Sequence, residues 1–248
     1  MFVNKRTDSI MEYLKTNKKA TIEELGKALY ASESTIRRDL AEMQKSGLIA
    51  RYHGGAMLLE DFGEISLFVR SERDMRDKEL CAAIAVNRLP KFNTVFIDNS
   101  STCLALAKKI DFTNKTVITN GLQIALQLLN KRDIQLIVPC GSVNTSTSAI
   151  TGSAAEKFLE TLNIDLMLAS CASVNAESVC ELSFETARFK SAAMSRCKRR
   201  ILIAAKNKFS NDAPYITADP KNYDFIITNA DDKTISPLTE RGVTVFNK

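Results

Sequence analysis

The chain has 248 residues, of which 45% are hydrophobic and 25% are charged. This ordinary globular composition excludes a fibrous or intrinsically disordered protein, and the length favours two domains. The net charge of +5 is mildly basic, and residues 1–57 alone hold 10 Lys and Arg against 7 Asp and Glu. A basic excess at the N-terminus is compatible with a nucleic-acid partner.

The cysteines show no pairing pattern. No two of the six form a Cys-x-x-Cys pair, so they are predicted to be buried free thiols, and the single histidine argues against a metal site. The sequence shows neither a signal peptide nor an apolar run near the roughly 20 residues that span a bilayer, so we expect a cytoplasmic protein. We also expect no cofactor. The six are Cys81, Cys103, Cys140, Cys171, Cys180 and Cys197.

Two short amphipathic helices are predicted at the start of the chain. Residues 5–16 place apolar side chains on one helical face, and this helix ends near Asn17. Thr21 and Glu24 then form a Thr-x-x-Glu capping box, which predicts a second helix through about Leu29. The predicted buried residues are Ile10, Met11, Leu14, Ile22, Leu25 and Leu29.

A third helix follows after a four-residue turn, which is helix-turn-helix spacing. Ser32 is placed to cap this helix, which is predicted to run to about Gln44. Arginine reads guanine or pairs with phosphate, and hydroxyl side chains contact either, so the outward face has the chemistry of a DNA-reading helix. Its buried stripe is Ile36, Leu40 and Met43, and its outward side chains are Ser34, Thr35, Arg37, Arg38 and Glu42.

A hairpin is predicted after the third helix. Gly47 ends that helix, and two apolar stretches within residues 48–59 flank His53, Gly54 and Gly55. We interpret this hairpin as a wing. Together the elements predict a small winged helix-turn-helix domain over residues 1–58.

The motifs of this region resemble the DeoR family of transcriptional regulators. They are the run Thr35-Ile36-Arg37-Arg38-Asp39-Leu40, the pair Gly47-Leu48 and the stretch His53-Gly54-Gly55-Ala56. The resemblance implies that the outward side chains of the third helix face DNA and that the wing touches the DNA backbone or minor groove. Asp39 is expected to orient Arg38 or a neighbouring backbone group. His53 is either a DNA contact or simply a turn residue. The candidate DNA-binding residues are Ser32, Ser34, Thr35, Arg37, Arg38, Arg51, His53, Gly54 and Gly55.

The remainder of the chain predicts a larger α/β domain. Residues 59–66 are acidic and broken by glycine, so we place a linker there and a second domain at 67–248. Short apolar strands alternate with helical patterns, which predicts a mostly parallel sheet covered on both faces. The predicted strands are 94–97, 116–119, 134–138, 166–169, 201–204, 225–228 and 243–246, and the predicted helices include 101–109, 122–129, 154–162 and 187–197.

Three loops of this domain are candidate ligand loops, because ligands of open α/β sheets bind beyond the carboxyl ends of the strands. They are Asp98 to Thr102, Thr119 to Gly121, and a longer loop rich in Ser and Thr from Cys140 to Gly152. Each Ser or Thr could equally serve only as a helix cap.

The DeoR resemblance extends along nearly the whole chain, through Phe68-x-Arg70, Asp98 to Thr102, Thr119-Asn120, Gly141, Gly152, Lys190 and Lys208-Phe209. The effector domain of that family is similar to sugar-phosphate isomerases, so the resemblance implies a phosphorylated sugar or related metabolite as ligand. Ser100, Ser101 and Thr102 would lie near the phosphate, with Lys190 as its positive partner. The candidate effector-binding residues are Asp98, Ser100, Ser101, Thr102, Asn120, Gly141, Gly152 and Lys190.

The chain departs from the family pattern at two places. Many members show Gly-Ala-Asp-Gly where this chain reads Ser170-Cys171-Ala172-Ser173, and Ala205 stands where an aspartate usually precedes the Lys-Phe pair. Two polar groups expected around a sugar are therefore missing. Such a loss changes ligand discrimination by about 1 to 3 kcal/mol, so the departures leave open both an altered effector and none.

Three functions remain open at this point. The first is a repressor that binds operator DNA as a homo-oligomer, a dimer or tetramer, and is released by a phosphorylated sugar; activation instead of repression is equally compatible. The second is a DNA-binding regulator that responds to no ligand. The third is a sugar-phosphate isomerase-type enzyme, which is disfavoured because the carboxylate expected around Ala172 is absent.

Overall fold

The structure, a computed structural model, describes residues 5–17, 19–45, 48–52, 54–58, 67–72 and 74–248. The chain divides into two compact units, Met1–Glu72 and Arg73–Lys248. The predicted linker at 59–66, together with Gly47 and His53, lies outside the described residues.

The N-terminal unit contains the predicted helix-turn-helix. The capping box at Thr21 and Glu24 is confirmed, with the Glu24 amide donating to Thr21 Oγ1 at 3.1 Å and the Thr21 amide donating to Glu24 Oε2 at 2.7 Å. The elements in order are α1 (Lys5–Asn17), β1 (Lys19–Thr21), α2 (Ile22–Ala28), α3 (Glu33–Lys45), β2 (Ile49–Tyr52), β3 (Gly55–Leu58) and α4 (Leu67–Glu72).

The core of this unit lies where the three helices meet. The predicted stripe of α3 is confirmed, because Ile36 and Leu40 are fully buried and Met43 is 2% exposed. Of the other predicted core residues, Met11 and Leu29 are only partly buried. The helices therefore pack through their apolar faces and leave the polar face of α3 at the surface.

The wing is a small antiparallel sheet. Strand β3 pairs with β2, as the hairpin pattern predicted, and also with β1, which the sequence did not predict. Three residues are too few to show the alternation by which a strand is recognised. The chain turns between β2 and β3 at Gly54, whose φ of +87° suits glycine.

The larger unit is built on a seven-stranded parallel sheet in the order β15-β14-β12-β9-β4-β5-β6. All seven strands were predicted. The strands are β4 (Thr94–Ile97), β5 (Lys115–Thr119), β6 (Ile134–Ile137), β9 (Ile164–Ala169), β12 (Cys197–Ile203), β14 (Phe225–Ile227) and β15 (Val245–Phe246).

Helices cover both faces of this sheet. Two separate hydrophobic clusters result, one around Phe96, Met167 and Phe189 and the other around Val95 and Leu168. The predicted architecture of a parallel sheet between helical layers is therefore confirmed. The helices are α5 (Met75–Val86), α6 (Ser101–Ala107), α7 (Leu122–Leu128), α8 (Ser153–Leu159), α9 (Phe184–Ser195) and α10 (Asp232–Glu240), with 3₁₀ turns at Lys206–Phe209 and Pro220–Asn222.

Two small antiparallel sheets were not predicted. The Ser- and Thr-rich stretch that we expected to be a loop contains a hairpin, and a three-stranded sheet in the order β10-β11-β13 lies elsewhere. Their strands have two to four residues, and most lack an alternating burial pattern. The strands are β7 (Ser142–Asn144), β8 (Ala149–Thr151), β10 (Ser173–Val174), β11 (Val179–Glu181) and β13 (Tyr215–Ala218).

Five of the six cysteines are buried, as predicted, but Cys140 is exposed. Burial raises the pKa of the Cys81 and Cys197 thiols to about 12, which keeps them protonated near neutrality. Within the part of the chain that the structure describes, no helix is long and apolar enough to cross a membrane. The same residues contain no cluster of three or more His, Cys, Asp or Glu side chains that could hold a metal ion.

Candidate functional site

The outward face of α3 is open to solvent. Ser34, Arg37 and Arg38 are exposed and Thr35 is half-buried, whereas the opposite face of the helix is buried. Ser32 begins the helix as predicted, because its hydroxyl accepts the Thr35 amide at 3.3 Å. The same hydroxyl lies 2.9 Å from Thr35 Oγ1, so it already has partners within the helix.

The two arginines of this face differ in their surroundings. Arg37 forms an ion pair of 2.7 Å with Glu33, one turn earlier on α3, and both side chains are more than half exposed. Arg38 is exposed, and no ion pair is found for it among the described residues. An exposed pair one turn apart contributes only about 0.3–0.5 kcal/mol, so Arg37 can exchange Glu33 for another anion.

The expected role of Asp39 was wrong. Among the described residues Asp39 shows no hydrogen bond to Arg38 or to a neighbouring backbone group; it accepts two hydrogen bonds from Arg6 of α1, at 2.5 and 3.1 Å. The Asp39 side chain is 5% exposed and that of Arg6 is 30% exposed. The bidentate pair joins α1 to α3 and so fixes the orientation of α3 within its unit.

The wing places its candidate residues unequally. Arg51 on β2 and Gly54 at the turn are exposed, whereas Gly55 is buried between its strand partners. His53 lies outside the described residues. The contacts of the wing with DNA therefore stay a prediction.

The candidate effector-binding residues mostly meet at the carboxyl edge of the sheet. Asp98 and Lys190 join the loops after β4 and β9 to α9, and the hairpin β7–β8 packs against the loop after β5. The most buried of the candidates are Asp98 (0% exposed), Thr102 (1%), Asn120 (1%), Lys190 (3%) and Ser101 (8%). Ser100 and Gly152 are half-buried, and Gly141 is exposed.

A buried ionic cluster forms the centre of this edge. The Lys190 ammonium donates to Asp98 at 2.6 Å, to Glu181 at 2.5 Å and to the Ser170 carbonyl at 2.8 Å. Asp98 in turn accepts the Ser100 amide at 3.0 Å and the Ser170 amide at 2.9 Å. An ammonium has three hydrogens, so these partners occupy all the donors of Lys190.

The cluster holds its charges through mutual attraction. Burial opposes ionisation, but Lys190 lowers the pKa of Asp98, and Asp98 and Glu181 raise the pKa of Lys190. Lys190 is thus paired with two carboxylates at once. We expected Lys190 to be the positive partner of a phosphate; in this structure it is instead the counterion of two protein carboxylates.

The loops around the cluster approach one another closely. A Cβ on Gly121 would lie 2.8 Å from the Asn99 Cα, and a Cβ on Gly141 would lie 2.6 Å from the Thr151 carbonyl oxygen. Only glycine permits these two contacts. Asn120 is held between them, since its backbone carbonyl accepts the Ile150 amide at 2.8 Å.

Some buried polar atoms at this edge are not satisfied by the protein. Asn120 Oδ1 and Ser170 Oγ find no hydrogen-bond partner among the described residues, although both residues are 1% exposed. The Tyr223 hydroxyl, which lies near the ionic cluster, is also buried without a hydrogen-bond partner among the described residues. Burial raises the pKa of this phenol. Such groups are uncommon in folded proteins and favour a site that another molecule completes.

Glu181 is the residue that sequence reasoning missed. The available signal was a glutamate next to the apolar pair Val179-Cys180, since a charge within a buried strand needs a partner. Strand β10 pairs Ser173 with Cys180, and the Ala172 amide donates to the Cys180 carbonyl at 2.9 Å. A carboxylate, that of Glu181, is therefore present on the strand next to position 172.

Two open grooves lie elsewhere on this unit. One of about 660 Å³ is lined by residues that include Lys91, Asp111 and Lys115, and another of about 530 Å³ lies beside Asn175, Phe209 and Pro237. Neither groove includes a candidate effector-binding residue, so both are separate from the ionic cluster.

Comparison with known proteins assigns both parts of the chain. Residues 6–62 match the DeoR-like helix-turn-helix domain, and residues 73–230 match the DeoR C terminal sensor domain. The chain belongs to the DeoR family. This DeoR-family protein is a DNA-binding transcriptional regulator, and the earlier resemblance is confirmed.

Curated relatives of this DeoR-family chain are transcriptional regulators, and the matches below span nearly the whole length of both proteins. The HTH-type transcriptional regulator GolR of Listeria innocua is 31% identical over 232 residues, which cover 92% of this chain and 91% of that protein. The glycerol-3-phosphate regulon repressor of Escherichia coli is 27% identical over 227 residues, with 91% and 90% covered.

Similarity of the DeoR-family chain to solved structures is slight. The sorbitol operon regulator SorC of Klebsiella pneumoniae gives a TM-score of 0.35 at 12% identity, with 94% of this chain and 97% of that chain covered. A D-ribose-5-phosphate isomerase bound to phospho-erythronic acid gives 0.39 at 12% identity, over 53% of this chain and 52% of that chain. Likeness at this level carries no argument about ligand or activity.

Proposed function

We propose that this regulator is a repressor that binds operator DNA as a homo-oligomer, with α3 in the major groove and the wing against the backbone or minor groove. The observation that carries the proposal is the outward face of α3, where Ser34, Arg37 and Arg38 are exposed on a helix whose other face is buried. These side chains match base edges and phosphates. A two-fold oligomer would present two such helices at the spacing of a repeated half-site.

We further propose that a phosphorylated sugar or related metabolite is the effector and binds at the carboxyl edge of the sheet. The unpartnered atoms Asn120 Oδ1 and Ser170 Oγ support this, together with the buried hydroxyls of Ser101 and Thr102. One relative is named as the repressor of a glycerol-3-phosphate regulon, which is consistent with an effector of this class. The effector must bind the DNA-incompetent arrangement more tightly, because only differential affinity shifts an equilibrium.

In this proposal Lys190 acts on the effector through its neighbours. Its three donors are held by Asp98, Glu181 and Ser170, so it positions the loops after β4 and β9 while the hydroxyls of those loops meet the phosphate.

The linker at 59–66 would connect the DNA-binding domain, residues 1–58, to the effector domain, residues 67–248.

Catalysis is not part of the proposal. An isomerase needs a carboxylate free to take a proton from carbon. Both oxygens of Asp98 accept hydrogen bonds, and Lys190 lowers the pKa of Asp98, which makes this carboxylate a poor base. This supports a binding site without a reaction.

The second candidate is a regulator that responds to no metabolite. The closed state of the edge favours it, because Asp98 is 0% exposed and its charge is already matched within the protein. In that case the larger domain would serve only to assemble subunits.

The melting temperature of the full chain separates these candidates. Sugar phosphates, with their unphosphorylated sugars as controls, are added to the protein alone and to the protein bound to an operator selected from random duplex DNA. A bound effector raises the melting temperature and weakens DNA binding, whereas an unchanged melting temperature across the panel supports ligand independence. Failure to select any duplex would contradict DNA recognition itself.

A further inference from the structure

Tyr30, in the turn between α2 and α3, has an unfavourable backbone conformation. Its φ is +51°, in the left-handed region that bulky L-residues rarely adopt. The turn requires this conformation, because the Leu29 amide donates to Leu25 and the Ala31 amide donates back to the Gly26 carbonyl at 3.0 Å. Glycine or asparagine would adopt the same conformation with less strain.

No side-chain contact with the described residues compensates for this strain. The Tyr30 side chain is 98% exposed, and no hydrogen bond or ring contact is found for it among the described residues. A strained residue whose side chain contacts nothing points to an external partner.

The surroundings of Tyr30 indicate the chemistry of that partner. Among the described side chains of the N-terminal unit, Tyr30 is the one large exposed hydrophobic residue, so it is not part of an apolar patch for another protein. Its neighbours are Ser32 and Ser34, at the same end of α3 as Arg37. Hydroxyl and guanidinium groups at the N-terminal end of a reading helix suit nucleic acid.

We propose that the Tyr30 hydroxyl donates a hydrogen bond to a DNA phosphate at the border of the groove that α3 enters. This inference rests on the proposed DNA-binding function. Tyrosine is one of the side chains that bind phosphate oxygens, and such contacts position a protein on the duplex without reading sequence. The hydrogen bond adds no charge, so it strengthens binding without releasing a further counterion.

The experiment measures binding of the full chain to generic duplex DNA over a range of salt concentrations, because a phosphate contact needs no operator. Tyr30→Phe is expected to weaken binding by about 3- to 10-fold on every duplex, with the slope against log salt unchanged. Tyr30→Asn should weaken binding at least as much while raising the melting temperature, since asparagine tolerates the left-handed backbone.

Tyr215→Phe, which removes an exposed phenol hydroxyl from the other unit, serves as the matched control and should bind DNA as the wild type does. Wild-type affinity in Tyr30→Phe would overturn the proposal while leaving DNA binding intact. Failure of the wild type to bind any duplex would overturn the proposed function and this contact together.

Discussion

Lys190 and Asp98 form an ion pair of 2.6 Å in which the two side chains are 4% and 0% exposed. Asp98 also accepts backbone amides from Ser100 and Ser170, so the pair connects α9 to two loops of the sheet edge. A buried pair adds little stability over apolar residues, but removing one partner leaves the other charge unsatisfied. The pair is therefore a sensitive point of the larger domain.

Lys190→Met should destabilise the larger domain strongly. The substitution leaves Asp98 and Glu181 buried without their shared counterion, and losses of this kind amount to about 3–5 kcal/mol. Urea unfolding of the full chain measures the change. The control is Lys198→Met, because Lys198 pairs with Asp165 but is 73% exposed, and exposed pairs contribute about 0–1 kcal/mol. Equal unfolding midpoints for the two variants would contradict the role given to Lys190.

The carboxylate of Glu181 should be replaceable by one at position 172. Glu181→Ala is expected to lower stability by about 2–4 kcal/mol, because it removes a partner of buried Lys190. Adding Ala172→Asp to that variant should recover part of the loss, since Ala172 is hydrogen-bonded to the strand that carries Glu181.

The single variant Ala172→Asp is the control for this relocation. It adds a third carboxylate beside one ammonium and should destabilise the wild type, as judged by the same urea unfolding. If Ala172→Asp lowered stability equally with and without Glu181, the two positions would not share Lys190 as a partner.

Local patterns in the sequence were sufficient to predict the helices and strands that surround both sites. The capping box at Thr21 and the 4 and 3 spacing of Ile36, Leu40 and Met43 each need only one turn or one helix face to be recognised. The parallel strands were predicted for a similar reason, because a strand buried on both faces is a continuous apolar run.

Pairings between distant residues could not be predicted from such patterns. Asp39 lies 33 residues from Arg6, and nothing in either segment indicates the other. The strands β10, β11 and β13 are too short to show a period, so their sheet, and with it the position of Glu181 beside Lys190, was missed. The candidate Asp98 and Lys190 were identified, but their contact with each other was not.

The stability of the larger domain should depend on Asp98 in acid. Burial raises the pKa of this carboxyl, but Lys190 and the hydrogen bonds from Ser100 and Ser170 together lower it more, so the folded pKa lies below the unfolded value of about 3.9. The contribution of Asp98 is then complete above the unfolded pKa and is lost as the pH falls through the folded pKa. The pKa of Lys190 is raised, so its contribution is complete below about pH 10 and is lost only above its folded pKa.

Unfolding of the wild type and of Asp98→Asn from pH 3 to pH 9 tests this dependence. The difference in unfolding free energy should be constant between about pH 5 and pH 9 and should narrow below about pH 4. A difference that widened in acid would mean that Asp98 has a raised pKa and is protonated in the folded protein.

Arg37 and Arg38 should govern DNA recognition without supporting the fold. Both are exposed on α3, so Arg37→Ala and Arg38→Ala should each change stability by less than about 0.5 kcal/mol. A lost bidentate contact to a base lowers discrimination by about 1–3 kcal/mol, which competition between selected and random duplexes would measure.

Glu33→Gln should tighten binding to all duplexes, because it frees Arg37 and removes a negative charge that repels phosphate. Lys27→Ala is the matched control, since Lys27 forms a similar exposed pair with Glu23 on α2 and not on α3. Discrimination that survived both arginine substitutions would show that α3 does not read the operator.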